Sequence, residues 1–151
     1  MRPSLSETML TVAHVLANRS TCVRRKVGCV LTDMKGRILS AGYNGVPSGW
    51  THCTSVASEC PGAKEPSGEG YEKCQAIHAE QNALLFCNDI DKIFTCYVTT
   101  APCMHCVKML LNTQCQAIVY MEDHVTAKES LEVWRRAGRL ALSLEELQNE
   151  S

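Results

Sequence analysis

The run Phe94-Thr95-Cys96-Tyr97-Val98-Thr99, followed after Thr100 and Ala101 by Pro102-Cys103-Met104-His105-Cys106-Val107-Lys108-Met109-Leu110-Leu111, sets the class of the fold. Its first six residues are mostly β-branched or aromatic and predict a strand. Pro102 predicts the first position of a helix that runs through Leu111. Proline fits there because its missing N–H is one the first turn leaves unpaired anyway. A strand feeding directly into a helix is half of a β-α-β unit, and Ala117–Met121 supplies the next strand.

The same alternation extends in both directions. Upstream, Leu5, Met9, Val12, Val15 and Leu16 recur at helical spacing, and Ser4-x-x-Glu7 reads as a capping box. Val27–Leu31 and Arg37–Tyr43 flank the turn Asp33-Met34-Lys35-Gly36 and predict a hairpin. Ile77–Asn88 predicts a helix. Downstream, Thr126–Ala137 predicts a helix ended by Gly138, and Arg139–Leu142 a last strand. Ser143-x-x-Glu146 opens a short terminal helix. Strands alternating with helices predict a sheet covered on both faces, and an opening hairpin followed by crossovers makes that sheet mixed. At 151 residues the chain reads as one domain, 1–151, with an irregular Gly- and Pro-rich loop, 44–74, inserted before the second helix.

Charge and hydropathy exclude some functions. Fifteen Lys and Arg against sixteen Asp and Glu leave a formal charge of −1, which argues against a nucleic-acid polymer as partner. The longest uninterrupted apolar runs, Ala83–Cys87 and Ala117–Met121, are five residues each, far short of the roughly 20 a membrane span requires. Met1–Glu7 carries no apolar segment of the secretory kind, so a cytoplasmic location is expected. In that compartment ten cysteines read as metal ligands, catalytic groups or small core residues rather than disulfides. Cys29, Cys87 and Cys96 sit among apolar neighbours and read as core; Cys115 fits either core or surface.

Two short motifs remain. His78-Ala79-Glu80 opens one predicted helix and Pro102-Cys103-Met104-His105-Cys106 the next. Cys103 and Cys106 lie one helical turn apart, so both thiolates reach one ion, and His78 makes a third ligand. Three protein ligands mark a catalytic zinc, because a structural zinc is closed by four. Two thiolates and a neutral imidazole also balance the charge of Zn²⁺. Glu80, two residues from a ligand, is placed to move protons beside the metal. This H-x-E and P-C-x-x-C pairing is the signature of zinc deaminases. The competing reading closes a structural site with His105, but that residue lies between the cysteines and points away from them.

These motifs, with Ser20–Gly28, Gly42–Gly49 followed by His52-Cys53, Ile77–Ala83 and Tyr97–Cys106, give the chain its resemblance to the deoxycytidylate (dCMP) deaminases of the cytidine deaminase superfamily. The resemblance runs from about Leu5 to Leu144. It implies a three-layer α/β/α fold with a five-stranded mixed sheet. It also implies a hydrolase that converts dCMP and water to dUMP and ammonia, supplying dUMP for dTMP synthesis. Attack falls at C4 of the pyrimidine, and Glu80 protonates N3 and then helps the amine leave. It further implies that Arg24 and Lys26 meet the 5′-phosphate, Asn44 the deoxyribose, and that Tyr120 lines the same pocket. A homohexamer activated by dCTP and inhibited by dTTP, with Mg²⁺ on the effector, follows from the same resemblance, with Asn44, Gly45 and Phe86 at the effector site. Cys22, Cys53, Cys60 and Cys74 lie outside the catalytic motif and suffice for a second, structural zinc site, in which His52 is an alternative to one cysteine; the other reading leaves some of the four as free thiols. Within the superfamily, cytidine, guanine and tRNA-adenosine deaminases share the zinc motif, and a bifunctional dCMP/dCTP enzyme uses similar basic residues. Outside enzymes, the rival is a zinc-stabilised interaction module, which needs no Glu80. Relatives often carry an aromatic residue where this chain has Asp123-His124.

Overall fold

The computed structural model describes residues 1–22, 25–50, 76–124 and 127–149. Five strands form one sheet: β1 (Gly28–Thr32), β2 (Ile38–Tyr43), β3 (Thr95–Thr100), β4 (Ala117–Glu122) and β5 (Leu140–Ser143). Their order is β2-β1-β3-β4-β5. β1 runs antiparallel to β2 and β3, whereas β3, β4 and β5 are mutually parallel. The expected mixed five-stranded sheet is therefore present. The hairpin turn forms where the spacing put it: the Gly36 N–H reaches the Asp33 carbonyl and Gly36 adopts φ +79°.

Helices cover both faces. α1 (Leu5–Ala17) and α5 (Leu144–Asn149) lie on one face, where Leu10, Ala13, Val30, Tyr97 and Val119 form a small core. α2 (Ala79–Leu85), α3 (Met104–Leu111) and α4 (Ala127–Arg136) cover the other, over Cys29, Leu31, Val98 and Ile118, with Trp134 of α4 in the same core. Alternation along the strands divides the two cores: Val30 and Tyr97 point to α1 while Cys29 and Val98 point to α2 and α3. β1 and β3 are buried along their whole length because helices cover both sides of them.

The first capping box closes in full; at the second the Glu146 N–H bond forms, but it is the Ser143 hydroxyl that donates back to Glu146 Oε1, at 3.2 Å. Ser4 Oγ accepts the Glu7 N–H at 3.1 Å, and Ser143 Oγ accepts the Glu146 N–H at 3.1 Å. Gly138 ends α4 at φ +81°. Cys29, Cys87, Cys96 and Cys115 are all buried, which resolves Cys115 as core. The Cys29 and Cys96 sulfurs touch at 3.6 Å.

Two helix starts differ from the sequence expectation. α2 begins at Ala79, because Ile77 is held extended in a β-bridge to Gly45 and His78 is the N-cap. It ends at Leu85, before a 3-10 turn over Ile90–Lys92 that periodicity did not foresee. α3 begins at Met104 with Cys103 as N-cap, so Pro102 lies just outside the helix instead of at its first position. In both cases a ligand-type side chain takes the cap position, where the backbone is extended (His78 ψ 154°, Cys103 ψ 171°). The 44–74 loop lies largely outside the described residues.

Close backbone approach seats α2. A Cβ at Gly42 would fall 2.7 Å from both the Ala79 carbonyl oxygen and the Ala83 nitrogen, so only glycine lets β2 and α2 meet. Asn82 Nδ2 locks the contact by donating to the Tyr43 carbonyl at 2.8 Å. Replacing Gly42 by Ala is expected to push α2 off the sheet at a cost of about 1–3 kcal/mol, the range for overpacking. Chemical denaturation checks it; an unchanged midpoint would contradict the contact.

Candidate metal centre and active site

Two helix N-termini converge at the carboxyl end of β3. His78 caps α2 and Cys103 caps α3, with Cys106 one turn into α3. His78 Nδ1 lies 3.4 Å from Cys103 Sγ and 3.3 Å from Cys106 Sγ. All three donor atoms fall within 4.8 Å of one another. The donor set is two sulfurs and one imidazole nitrogen turned toward a common point. Zn–S and Zn–N bonds of about 2.3 and 2.0–2.1 Å around a tetrahedral ion suit that spacing. Among the described residues these three fit zinc and leave one tetrahedral position open. His105 is exposed on the outer face of α3, as its place between the cysteines predicted.

Backbone anchoring fixes the imidazole. The His78 N–H donates to Gln81 Oε1 at 2.9 Å, its carbonyl accepts the Asn82 N–H at 2.9 Å, and the Ile77 N–H reaches the Gly45 carbonyl at 2.7 Å. Electrostatics favour a cation. The Cys103 thiol is held down to about 3, by its hydrogen bond with Cys106 and by His78. Cys106 is pushed up by the same sulfur pair and by burial. His78 is raised, chiefly by its hydrogen bond with Cys103. In the metal-free protein Cys103 therefore favours the thiolate and Cys106 the thiol, with the protonated imidazole of His78 stabilised beside them. Zinc held by these three residues would bind their deprotonated forms, so its uptake would release protons.

Glu80 stands in the first turn of α2 and is 4% exposed. Burial raises its carboxyl from the ordinary value to about 7; its own N–H, His78 and a hydrogen bond with Cys106 pull the other way. A carboxyl balanced near neutrality beside a metal cluster can both take and give a proton.

The other expected residues divide. Asn44 is 7% exposed, and its side chain clamps the segment leading into β1. Its Oδ1 accepts the Val27 N–H at 2.9 Å and its Nδ2 donates to the Arg25 carbonyl at 2.7 Å. Lys26, within that segment, is exposed. Gly45 pairs with Ile77 and approaches Thr21. Together, Asn44 and Gly45 tie the basic segment to the metal helix. Tyr120 is 4% exposed at the carboxyl end of β4, and burial together with Asp123 and Glu146 raises its hydroxyl. Phe86 is apart from the cluster in character: it caps the far end of α2 and is 71% exposed. Cys22 is buried and lies close enough to His78 to favour its protonated form. Arg24, His52, Cys53, Cys60 and Cys74 lie outside the described residues.

Sequence reasoning missed the supporting residues. Gln81, Asn82 and Ser130 each bind a carbonyl or N–H beside the site. Only Ser130 carried a signal, being the one polar residue among Ala127, Leu131 and Trp134 on the buried stripe of α4.

Residues 3–122 match the family described as the cytidine and deoxycytidylate deaminase zinc-binding region. A deoxycytidylate deaminase of Mycobacterium phage D29 is 37% identical over 127 residues, covering 81% of this chain and 98% of the relative. The Saccharomyces cerevisiae deoxycytidylate deaminase is 33% identical over 140 residues, 91% of this chain. This chain spans 44% of the yeast protein's length. Among solved structures, the dCMP deaminase of cyanophage S-TIM5 in complex with dCMP and dUMP superposes with a TM-score of 0.71 at 26% identity, covering 95% of this chain and 99% of that one.

The raised Glu80 carboxyl makes the stability of the metal-free protein depend on pH. Between about 4.5 and about 7 the unfolded chain ionises Glu80 while the folded chain keeps the proton, so stability falls as pH rises and levels off above about 7. Relative to Glu80→Gln, which cannot titrate, the parent is expected to lose about 3 kcal/mol across that window. Denaturant titrations of both metal-free proteins at pH 5 and 8 test this; a constant difference between them would contradict it.

Proposed function

The chain belongs to the cytidine and deoxycytidylate deaminase family, and on that footing we propose that it hydrolyses dCMP to dUMP and ammonia. The observation that carries the reading is Glu80, buried and raised toward neutrality beside a cluster that, among the described residues, offers a metal three ligands and leaves a fourth position for chemistry. A closed structural site would have no use for that carboxyl.

His78, Cys103 and Cys106 would hold zinc, which when bound supplies the Lewis acidity that makes water nucleophilic near neutral pH. Glu80 as carboxylate takes the proton of the attacking water. As carboxylic acid it delivers that proton to N3 of the pyrimidine, so C4 becomes electrophilic; after attack it takes the remaining proton of the hydroxyl added at C4 and passes it to the exocyclic nitrogen, which departs as ammonia while C4 becomes a carbonyl. Burial raises this carboxyl in the metal-free protein, which keeps its acid form within reach, and a bound cation would favour its carboxylate. Burial keeps bulk water from short-circuiting the transfer.

In this reading Arg24 and Lys26 bind the 5′-phosphate. Asn44 contacts the deoxyribose with the second of its amide hydrogens, the first being committed to the Arg25 carbonyl. Tyr120 lines the pocket at the carboxyl end of the parallel strands, where sites of open α/β sheets form. The relatives named for dCMP deamination, and the phage structure holding dCMP and dUMP, support this choice of base and sugar. The finer proposals are a cytoplasmic homohexamer, activated by dCTP and inhibited by dTTP with Mg²⁺, that supplies dUMP for dTMP synthesis. Its effector site takes in Asn44, Gly45 and Phe86. Cys22, Cys53, Cys60 and Cys74 hold a structural zinc. Support for regulation is mechanical: Gly42 to Gly45 is bonded to α2 on one side and to the basic segment on the other, so a ligand there touches both.

Ammonia release from dCMP, with cytidine, dCTP and guanine as comparisons, tests the assignment. The expected result is preferential turnover of dCMP, raised by dCTP and lowered by dTTP. Glu80→Ala is expected to retain zinc while kcat falls by about 10²–10⁴-fold, the usual worth of a general acid–base group. Zinc-loaded protein that turns over none of the four compounds, with dCTP and Mg²⁺ present, would sink the assignment.

A further inference from the structure

Two of the three metal ligands, His78 and Cys103, are helix N-caps, and so stand outside the helices they introduce. Cys106 is carried by α3 itself, but a cap residue has no helical hydrogen bond through its own N–H to hold its peptide plane. For His78 the Gln81 side chain supplies that hold. For Cys103 the corresponding group comes from another element. Ser130 of α4 donates from Oγ to the Pro102 carbonyl at 2.7 Å, across 28 residues of chain. That carbonyl belongs to the peptide whose nitrogen is Cys103.

Ser130 is 1% exposed and stands in the centre of the buried stripe of α4, between Ala127 and Leu131. Alanine would suit such a position better, because serine is the poorer helix former and its hydroxyl needs a partner when buried. The carbonyl of Ala127, three residues back, lies 3.0 Å from Oγ and offers a local alternative. The tertiary contact is the shorter and sits at the usual length of a good O–H···O bond. Pro102 is itself fully buried, so its carbonyl has no recourse to solvent. The neighbouring Ala101 N–H is fixed by the Glu122 carbonyl at 2.8 Å, leaving the Pro102–Cys103 peptide as the part that needs an anchor.

We propose that Ser130 is a positioning residue of the metal centre: by holding the Pro102 carbonyl it fixes the peptide plane that aims the Cys103 sulfur at the point shared with His78 and Cys106. This rests on the zinc reading of the cluster. It assigns α4, which contributes no ligand, the task of setting ligand geometry.

The test is metal affinity of the whole chain, read separately from turnover. Zinc dissociation constants are measured by competition with a chelating indicator, and tetrahedral geometry by the visible absorption of the Co²⁺-loaded protein. Ser130→Ala is expected to weaken zinc binding by about 10–100-fold, the range for groups that orient metal ligands, and to shift the Co²⁺ bands. Ser130→Thr, which keeps the hydroxyl, is expected to bind zinc as the parent does. Leu131→Ala, one residue along α4 and equally buried, controls for stability: it lowers the thermal midpoint and leaves zinc affinity and Co²⁺ bands alone. If Ser130→Ala lowers the midpoint but binds zinc as tightly as the parent with unchanged bands, the positioning role is overturned. The same holds if Ser130→Thr loses as much affinity as Ser130→Ala. A parent chain that binds no zinc would overturn the zinc reading itself, a result told apart by the parent measurement alone.

Discussion

The meeting of His78 Nδ1 with the sulfurs of Cys103 and Cys106 is the constraint on which the rest depends. It demands that the first turns of two helices point at one spot although 25 residues separate their cap residues in the chain. The sheet achieves this. β3 runs directly into α3, so the cysteines fall at the carboxyl end of that strand. α2 is placed over β2 and β1 by the close approach at Gly42, which brings His78 to the same end. An error in either seating would separate the ligands by more than a metal can span.

The carboxyl of Glu80 is a consequence of the same packing. Placed in the first turn of α2 on the face that meets the sheet, it is carried into the interior with Ala79 and Ala83. Burial there is unfavourable for a charge and raises its pKa, whereas the imidazole and the thiol of Cys106 oppose that rise. The outcome is a group useful for moving protons, obtained at a local cost in stability. Trp134, fully buried with its indole N–H donating to the Leu140 carbonyl at 2.8 Å, and the apolar face of α3 supply the surrounding burial that makes such a cost bearable.

Polar groups at element boundaries carry the geometry outward from that centre. Asn44 spends its amide on the segment before β1, Asn82 on the end of β2, and Arg139 on four carbonyls at the end of α3 while lying over the Trp134 ring. Each satisfies backbone groups that strand ladders and helices leave unpaired. Asn44 shows why such roles escape a sequence reading. An Asn between Tyr43 and Gly45 reads as a turn or a ligand contact, and its partners, Val27 and Arg25, are known only once β1 and β2 are aligned.

The amino-acid sequence by itself determined the order of elements, the mixed sheet, the first capping box, the hairpin turn and the grouping of His78, Cys103 and Cys106 with Glu80. These follow from local physics: the period of apolar residues, the chemistry of cap and turn residues, and the spacing of thiol and imidazole groups. Tertiary structure decided the rest. It set the helix starts one or two residues inward, because cap conformation depends on what the preceding residue pairs with, as Ile77 does with Gly45. It brought Cys115 into the core and recruited Ser130 to the Pro102 carbonyl. A residue's partner across 28 positions, and the burial that shifts its protonation, arise only when the chain is packed, since neither is a property of any window of sequence.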